Sequence, residues 1–473
     1  MAYGISDPDA IDKAGDFKLD KVIIHSTNGA RIDIRLTVLE LSIYESIYNP
    51  FVTGTITVSD ASDMMNTIPI LGQEELEFEL KTPGTEYPFT HDFTRHLARI
   101  FKITDKVQTT DRSCVYTLHF ISREGIRNLR TRISRRYHKM GQDIIESILR
   151  TDLESVKNMN LQEDKRLQTY LAPNVRPMTA IQTVANRMKA TISGYDEKGF
   201  LFYETSKGFN CRSYSSLFVD GGGDPLVPVM VYTTQPQVLG DGVTKVDADY
   251  SNIPSFDLTE TNDIIKSSLE GAFASKKITH DIVTKEIKTT NYNFFDDFDK
   301  TKHVDDTGDG QFGPIVSRTW ENAKEETLGD FKDNRIFVTP KASYLYTKSD
   351  SDTNIYSSFE EDLQTRTSRQ STMKSNRLTL TVAGLSSIEA GSIIQVYIPR
   401  NAKLTGEDKM DTDIFDPRLS GRYLVVNAHH KTSIDRYDMV LDCVKDTVFT
   451  AYEDFDFSHD DVRIEEKGET LLV

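Results

Sequence analysis

Apolar and polar residues alternate through the first quarter of the chain. The alternation runs from Ile32 to Val38, and the apolar phase then shifts at Leu39. A period of two predicts a β-strand, and the phase shift predicts a bulge or bend within it. Further alternating runs follow in TGTITVSD, EELEFELKT and SCVYTLHFIS, separated by turn residues. Residues 18–123 are therefore predicted to form an antiparallel sandwich or barrel, after an N-terminal extension of residues 1–17.

The apolar period changes to a helical one in the next part of the chain. Apolar residues recur at helical spacing from Ile144 to Leu153 and from Met178 to Met188, and Pro177 fits the first turn of the second helix. The following segment, ATISGYDEKGFLFYET, contains a Glu-Lys-Gly turn between two runs of strand formers, which indicates a hairpin. A small α+β domain with a crossover is thus predicted over residues 124–254.

Strand-like alternation returns near the end of the chain, at Leu378–Val382, Ile394–Ile398 and Tyr437–Cys443. It predicts a second β domain over residues 370–450, joined by strands from 255–290. Residues 291–369, which lie between these two segments, are polar and turn-rich and end in a predicted helix. The acidic residues 451–473 are expected to order only against a partner. The predicted fold class is mainly β, with two antiparallel barrel or sandwich domains and an α+β insert.

The two predicted β domains share one local pattern. FKITDKVQTTDRSCVYTLHFIS, beginning at Phe101, and YLVVNAHHKTSIDRYDMVLDCV, beginning at Tyr423, each contain a strand, a turn ending in Asp-Arg and an alternating strand. Asp-Arg is common in hairpin turns. The pattern therefore leaves two interpretations open, a true internal repeat and two unrelated hairpins.

Length, charge and cysteine content restrict the functional class. At 473 residues the chain has room for about three domains. Its formal net charge of −17 argues against a nucleic-acid-binding surface, which requires concentrated positive charge. The three cysteines lie far apart and predict reduced thiols. No apolar run reaches the length of a membrane span, and the first residues do not resemble a signal peptide.

Several short patterns were weighed as metal or catalytic sites. DDTGDGQ at 305–311 resembles part of a calcium loop, but Val316 stands where an EF-hand requires a bidentate Glu, so a solvated acidic turn is predicted. His91 with His96, and His429 with His430, lack the spacing and the neighbouring ligands that zinc requires.

Catalytic and phosphate-binding patterns are equally weak. The carboxylate pairs Glu74–Glu75 and Asp296–Asp297 are ordinary in so acidic a chain, and Gly221–Gly223 does not end in the Lys-Ser/Thr of a phosphate-binding loop. We therefore expect no enzyme activity and no catalytic, cofactor-binding or metal site.

One basic run stands out in this acidic protein. It consists of Arg123, Arg127, Arg130, Arg132, Arg135, Arg136 and Lys139. Only Tyr137 is present for base stacking, so we predict a contact with a carboxylate-rich protein surface; phosphate binding is the alternative.

The order of these parts resembles the baseplate hub proteins of contractile-tailed phages, a family related to the trimeric base of type VI secretion spikes. The segments that carry the resemblance are VIIHSTNGARIDIRLTVLELSIYESIYNPFVTGTITVSDA, FISREGIRNLRTRISRRYHKMGQDIIESIL, RPMTAIQTVANRMKATISGYDEKGFLFYET, ITHDIVTKEIKTTNYNFFDDF, GSIIQVYIP and LSGRYLVVNAHHKTSIDRYDMVLDCV. Residues 291–356 have no counterpart in that family.

The resemblance implies a homotrimer with two tail-tube-like β domains per chain and no catalytic residues. Its implied partners are the tail tube protein, the central spike protein and baseplate wedge or other tail proteins, and DNA passes through its channel without specific binding. The implied location is the phage virion. Two other classes remain open: a cell-wall glycan hydrolase, disfavoured by the single Trp available for sugar stacking, and a receptor-binding or adhesion module.

Overall fold

The structure of this chain is a computed structural model. The structure describes residues 11–448 except 12, 63, 65–69, 84–89, 235–244, 262, 283, 308–311, 317, 319–326, 342–361, 375, 400–414 and 417. The acidic segment 451–473, and the expectation that it orders against a partner, lie outside the described residues.

Eight strands form the first β domain. They are β1 (Lys18–His25), β2 (Arg31–Asp33), β3 (Val38–Ser46), β4 (Thr53–Asp60), β5 (Glu75–Lys81), β6 (His91–Asp92), β7 (Ala98–Thr110) and β8 (Ser113–Ile121). Their order in the sheet is β3-β4-β8-β7-β5-β1-β2, with β6 paired to β5. The single strand predicted from Ile32 onward is interrupted, because a 3-10 turn at Arg35–Thr37 separates β2 from β3 and leaves Leu36 exposed. The predicted shift of phase lies in β3, where the pairing with β4 is irregular between Val38 and Glu40.

The next part of the chain is an α+β unit with its own apolar core. Its elements are α1 (Arg123–Arg130), β9 (Arg136–Met140), α2 (Gly141–Ser147), β10 (Met159–Leu161), β11 (Leu167–Leu171), α3 (Pro177–Ala185), β12 (Ala190–Ile192), β13 (Tyr195–Glu197), β14 (Phe200–Thr205) and β15 (Gly208–Ser213). Both predicted helices are present, and their apolar faces, including Ile144 and Ile181, pack together with Phe202.

The hairpin of this unit differs from the predicted one. β12 pairs with β13, and β14 pairs separately with β15, so there are two hairpins in place of one turning at Glu197-Lys198-Gly199. The first turns at Ser193 and Gly194, which have φ angles of 51° and 85°. Two consecutive residues with positive φ form the tight turn that suits twisted antiparallel strands.

Six strands and four α-helices follow in the described residues between Met230 and Thr372. These elements are β16 (Met230–Thr233), α4 (Lys245–Ser251), β17 (Ser255–Thr261), α5 (Ile264–Glu270), β18 (Ala274–Asp281), β19 (Ile287–Asn293), α6 (Phe294–Asp297), β20 (Gly313–Pro314), β21 (Ile336–Lys341) and α7 (Leu363–Thr372). The strands of 255–290 were expected to join the second β domain. β17 does so, whereas β18 pairs with β19 and β21 in a separate small sheet.

The second β domain is completed by β22 (Asn376–Ala383), β23 (Ile393–Tyr397), β24 (Gly421–Thr432), β25 (Tyr437–Val444) and β26 (Thr447–Val448). Its sheet order is β17-β22-β25-β24-β23-β16. Strands β24 and β3 also pair, so that both β domains lie in one 14-stranded sheet. The predicted class, mainly β with an α+β insert, is confirmed. The described strands form an open path from β17 to β2 and close no barrel.

Candidate functional site: the contact between the β domains and the open sheet edges

The two β domains meet where β3 pairs with β24. The pairing is antiparallel and runs from Leu41 opposite Thr432 to Ser46 opposite Asn427. On its solvent-facing side, the rings of Tyr44 and His429 stack with their centroids 4.4 Å apart. Because the backbone hydrogen bonds are those of an ordinary sheet, the contact is as continuous as the pairing within either domain.

β24 has two partners along one edge. Its first residues, Gly421 to Leu424, pair with β23, and its last residues, from Asn427 to Thr432, pair with β3. The register against β25 shifts between Val425 and Asn427, where the change of partner takes place. A bulge bends the strand, so that its two halves are directed to different neighbours.

The two β domains have the same strand order. In the first, five antiparallel strands lie in the order β3-β4-β8-β7-β5. In the second, five antiparallel strands lie in the order β17-β22-β25-β24-β23. The corresponding strands also follow one another in the same sequence along the chain. One difference is that β1 is antiparallel to β5, whereas β16 is parallel to β23.

This correspondence makes β7 the counterpart of β24. β7 pairs with β5 only through Ala98 and Arg99, and its register against β8 shifts between Ile100 and Lys102. Among the described strands, the rest of β7 has no neighbour on the side away from β8. The side chains of Phe101 and Val107 there are 47% and 60% exposed. The outer half of β7 thus corresponds to the half of β24 that pairs with β3, but no described strand pairs with it.

The same correspondence makes β17 the counterpart of β3. β17 pairs with β22 on one side, and within the described part of the chain its other side is open. Phe256 on this strand is 41% exposed. An unpaired strand edge presents a row of free N–H and C=O groups and is a template for pairing with another chain.

Buried charges join the first β domain to the α+β unit. The Lys157 ammonium lies 2.9 Å from a carboxylate oxygen of Glu124 and also donates to Glu204, while the Val52 N–H donates to Glu204 at 2.9 Å. Burial opposes a charge on Lys157, but the two carboxylates outweigh it and raise its pKa. The ammonium therefore stays charged, and the triad holds its position by charge-assisted hydrogen bonds.

The basic run divides into two sets. Arg123 and Arg127 pair with Glu154, and Arg135 pairs with Asp152 and donates to the Tyr137 hydroxyl, so these side chains stabilise their own unit. Arg130, Arg132, Arg136 and Lys139 are exposed and form no ion pair with any described residue. The exposed set is the part of the run that is available to a partner.

In the acidic segment 305–311, residues 308–311 lie outside the described residues, and Asp305 differs from its prediction. Asp305 is buried, lies 3.4 Å from the Lys445 ammonium, and accepts hydrogen bonds from the Thr447 hydroxyl and the Arg422 N–H. Asp306 pairs with Lys302 at 2.8 Å. Asp305 is thus an internal ion-pair partner and does not belong to a solvated turn.

The carboxylates of the remaining candidate pairs, and the glycine-rich loop, form structural contacts within the chain. Glu74 accepts hydrogen bonds from the N–H groups of residues 71–73, while Glu75 pairs with Arg99. Asp296 pairs with Arg318, and Asp297 with Lys300. In the Gly221–Gly223 loop, Asp220 accepts from the N–H groups of Gly222 and Asp224, which is turn geometry.

The histidines that lie close together are not the pairs that are close in sequence. His91 lies against His430 of the other β domain, with ring centroids 4.2 Å apart, and Glu45 on β3 lies beside them. His429 points to the opposite face of the sheet. No local spacing signals this cluster, because its three residues come from β3, β6 and β24 and meet only when the two domains pair.

No helix in the described part of the chain is long and apolar enough to cross a membrane. No family model and no curated protein sequence matches this chain. Among solved structures, a tail protein from Neisseria meningitidis MC58 has a TM-score of 0.48 at 10% identity, covering 90% of this chain and 96% of that one. The 43 kDa tail protein of prophage MuSo2 from Shewanella oneidensis has a TM-score of 0.47 at 9% identity, covering 90% and 98%. A component of the Escherichia coli type VI secretion system has a TM-score of 0.38 at 8% identity, covering 93% and 77%. The chain is thus similar, at low scores and low identities, to phage tail proteins and a secretion-system component.

Proposed function

We propose that this chain is the structural baseplate hub of a contractile phage tail. In this role three copies form a ring that links the sixfold tail tube to the threefold central spike and encloses the DNA channel. The proposal rests on the order of sequence segments that resembles the hub family, and on one structural observation. That observation is the repeated strand order, with one pairing made inside the chain and its counterpart left open at β17 and β7.

The open edges suggest how copies join. Within one chain, β3 of the first domain pairs with the outer half of β24 in the second. If neighbouring copies repeat this contact, β17 of one chain pairs with the outer half of β7 in the next. Such a head-to-tail contact forms a closed ring when the rotation between successive domains is regular. Two domains in each of three chains give six similar units, which match a sixfold tube.

The partners follow from the same arrangement. One face of the ring meets the tail tube protein, the opposite face meets the spike protein, and the exposed arginines of the basic run bind an acidic surface of a wedge or other tail protein. DNA passes through the channel without specific binding, because the net charge of −17 favours a wall that repels phosphate. The protein acts in the virion and catalyses no reaction.

Cross-linking tests the proposed contact between copies. In a Cys114→Ser background, Phe256→Cys on β17 and Val107→Cys on β7 are combined and treated with a short bismaleimide. Cross-linked dimers and trimers, and no larger species, are expected under denaturing conditions, together with a trimer mass by light scattering. Either cysteine alone should give no covalent oligomer, because the two edges that meet are different.

A matched control places the second cysteine at the far end of the sheet. Arg31 lies on β2, the other terminal strand of the path, and Phe256→Cys with Arg31→Cys should not cross-link. Two results would exclude this ring. One is a series of cross-linked oligomers from either single-cysteine protein. The other is a protein that assembles only as a dimer, both by itself and with the tube and spike proteins.

A further inference from the structure

Three ionisable side chains from separate elements meet inside the contact between the β domains. Glu45 lies on β3, His91 on β6 and His430 on β24, and a potential ligand atom of each lies within 4.8 Å of those of the others. The three residues are buried: Glu45 is 2% exposed, and both histidines are fully enclosed. They bring together two imidazoles and one carboxylate, a ligand set that is common for transition-metal ions.

Three of the four imidazole nitrogens in the cluster lack a hydrogen-bond partner among the described residues. Neither ring nitrogen of His91 and not the Nε2 of His430 has a partner among the described residues. The nearest approach is His91 Nδ1 to Glu45 Oε1, at 3.7 Å, which is too long for a hydrogen bond. A buried nitrogen without a hydrogen-bond partner is energetically unfavourable, so three such atoms in one place require an explanation.

Protonation of the histidines does not satisfy them. Burial lowers the pKa of His91 to about 4, and the charge of Lys207 opposes protonation further. Burial also holds the pKa of His430 well below its usual range. Neither ring thus gains a partner by taking up a proton. Burial and the nearby Glu389 raise the pKa of Glu45 to about 8, so binding of a metal displaces a proton from this carboxyl, as is general for protein ligands.

Hydrogen bonds around the cluster hold its members in place. The Tyr437 hydroxyl lies 2.7 Å from Nδ1 of His430, which leaves the buried Nε2 as the nitrogen without a partner. Glu45 accepts hydrogen bonds from the N–H groups of Ser206 at 2.8 Å and Ala390 at 3.2 Å. Metal ligands are typically held by outer hydrogen bonds of this kind.

We propose that Glu45, His91 and His430 bind one divalent transition-metal ion, for which Zn²⁺ fits best. Imidazole disfavours Mg²⁺ and Ca²⁺, which prefer oxygen ligands, whereas two nitrogens and one carboxylate suit four-coordinate Zn²⁺ with water in the fourth position. Because the site is enclosed, the ion has a structural role: it joins β3 to β24. This inference goes beyond the proposed hub function and is independent of how copies assemble.

The test uses the untagged full-length chain, produced with Zn²⁺ and then dialysed against metal-free buffer. We expect close to one Zn²⁺ per chain by mass spectrometry of the metal. Protein refolded with Co²⁺ in place of Zn²⁺ should show the intense visible absorption of a four-coordinate ion with nitrogen and oxygen ligands. The Co²⁺ measurement requires no substitution, so a variant that fails to fold leaves the test intact.

Variants assign the metal to this cluster. Glu45→Gln preserves the shape of the side chain. Glu45→Gln and His430→Gln, each as a single substitution, should reduce the bound Zn²⁺ at least tenfold. His429→Gln is the matched control, since His429 is the adjacent residue on β24 but contacts Tyr44 and Ser42 on the opposite face. Wild-type protein without stoichiometric Zn²⁺ and without the Co²⁺ absorption, or equal Zn²⁺ in wild type and Glu45→Gln, would overturn the proposal.

Discussion

Individual side chains at the junction between the first β domain and the α+β unit are buried as charges. Lys157 is enclosed by Glu124 and Glu204, which come from α1 and β14. A buried ion pair contributes little net stability when compared with apolar residues, but removal of one partner leaves the other charge without compensation. The triad is therefore sensitive to single substitutions that leave its carboxylates in place.

We expect Lys157→Met to lower the free energy of unfolding by about 3–5 kcal/mol, because two carboxylates then remain buried without a cation. Lys189→Met is the control, since Lys189 pairs with the exposed Asp196, and its loss should cost only about 0–1 kcal/mol. Chemical denaturation followed by circular dichroism measures both. Equal effects of the two substitutions would show that burial of the triad does not determine its contribution.

Asp442 on β25 contributes to the free energy of unfolding in a way that is lost at acid pH. Burial opposes its charge, but hydrogen bonds from Asn427, Arg377 and Thr379 outweigh burial and lower its pKa below the ordinary 3.8. The unfolded chain therefore takes up the proton first as the pH falls. The stabilisation is complete above the unfolded pKa and is lost as the pH falls through the folded pKa.

Asp442→Asn should accordingly lower the melting temperature at pH about 7 and have a progressively smaller effect below pH about 4. Melting curves of both proteins across this range measure the difference. A constant difference at every pH would mean that the carboxylate charge is not the stabilising feature.

At the scale of secondary-structure elements, the basic run shows how one sequence pattern serves two purposes. The run extends from α1 to β9. Some of its arginines form ion pairs within the unit, and others are exposed to solvent. Helical and strand spacing put adjacent members on different faces. The pattern of charges alone predicted a contact surface, but only packing separated the structural arginines from the available ones.

Reversing the exposed set, with Arg130, Arg132 and Arg136 all changed to Glu, should leave the melting temperature within about 2 °C, since surface substitutions have small effects. Co-sedimentation with the other tail proteins should be reduced at least tenfold. Arg135→Glu is the contrasting variant, because loss of its pair with Asp152 should reduce stability instead. Intact assembly together with lost DNA binding would favour the phosphate interpretation.

At the scale of the whole molecule, the two β domains depend on each other. Their buried apolar residues, from Val22 in the first domain to Leu441 in the second, form one continuous core. The α+β unit has a core of its own. Separation of the β domains therefore exposes both apolar surface and the β3 edge.

Residues 13–123 expressed alone should form soluble aggregates or insoluble protein, because β3 loses its partner β24 and becomes an open edge. Residues 124–220 are the comparison. They keep the core around Ile144 and Phe202 but lose the contacts of Leu217 and Phe218 with the β domains, so we expect them to remain more soluble than residues 13–123 in size-exclusion chromatography. A monomeric first β domain with a cooperative melting transition would show that the pairing with β24 is dispensable for its fold.

Local sequence patterns were sufficient to predict most of the helices and strands of this protein. Alternation and helical periods depend only on which side of a local element meets apolar surroundings, so β3, β8, α2, α3, β22 and β25 were all predictable from neighbouring residues. The mainly β class with its α+β insert followed from these elements. The two Asp-Arg hairpins also indicated a possible repeat, which the matching strand orders now support.

Which elements become neighbours follows from long-range packing and could not be predicted from the sequence. Pairing of β3 with β24, the open edges of β7 and β17, and the separate sheet of β18 involve strands that are distant in the chain, and local periodicity contains no information about distant partners. The cluster of Glu45, His91 and His430 has the same origin. Its residues are unremarkable in sequence, and they form a site because the backbone pairing of two domains encloses them together.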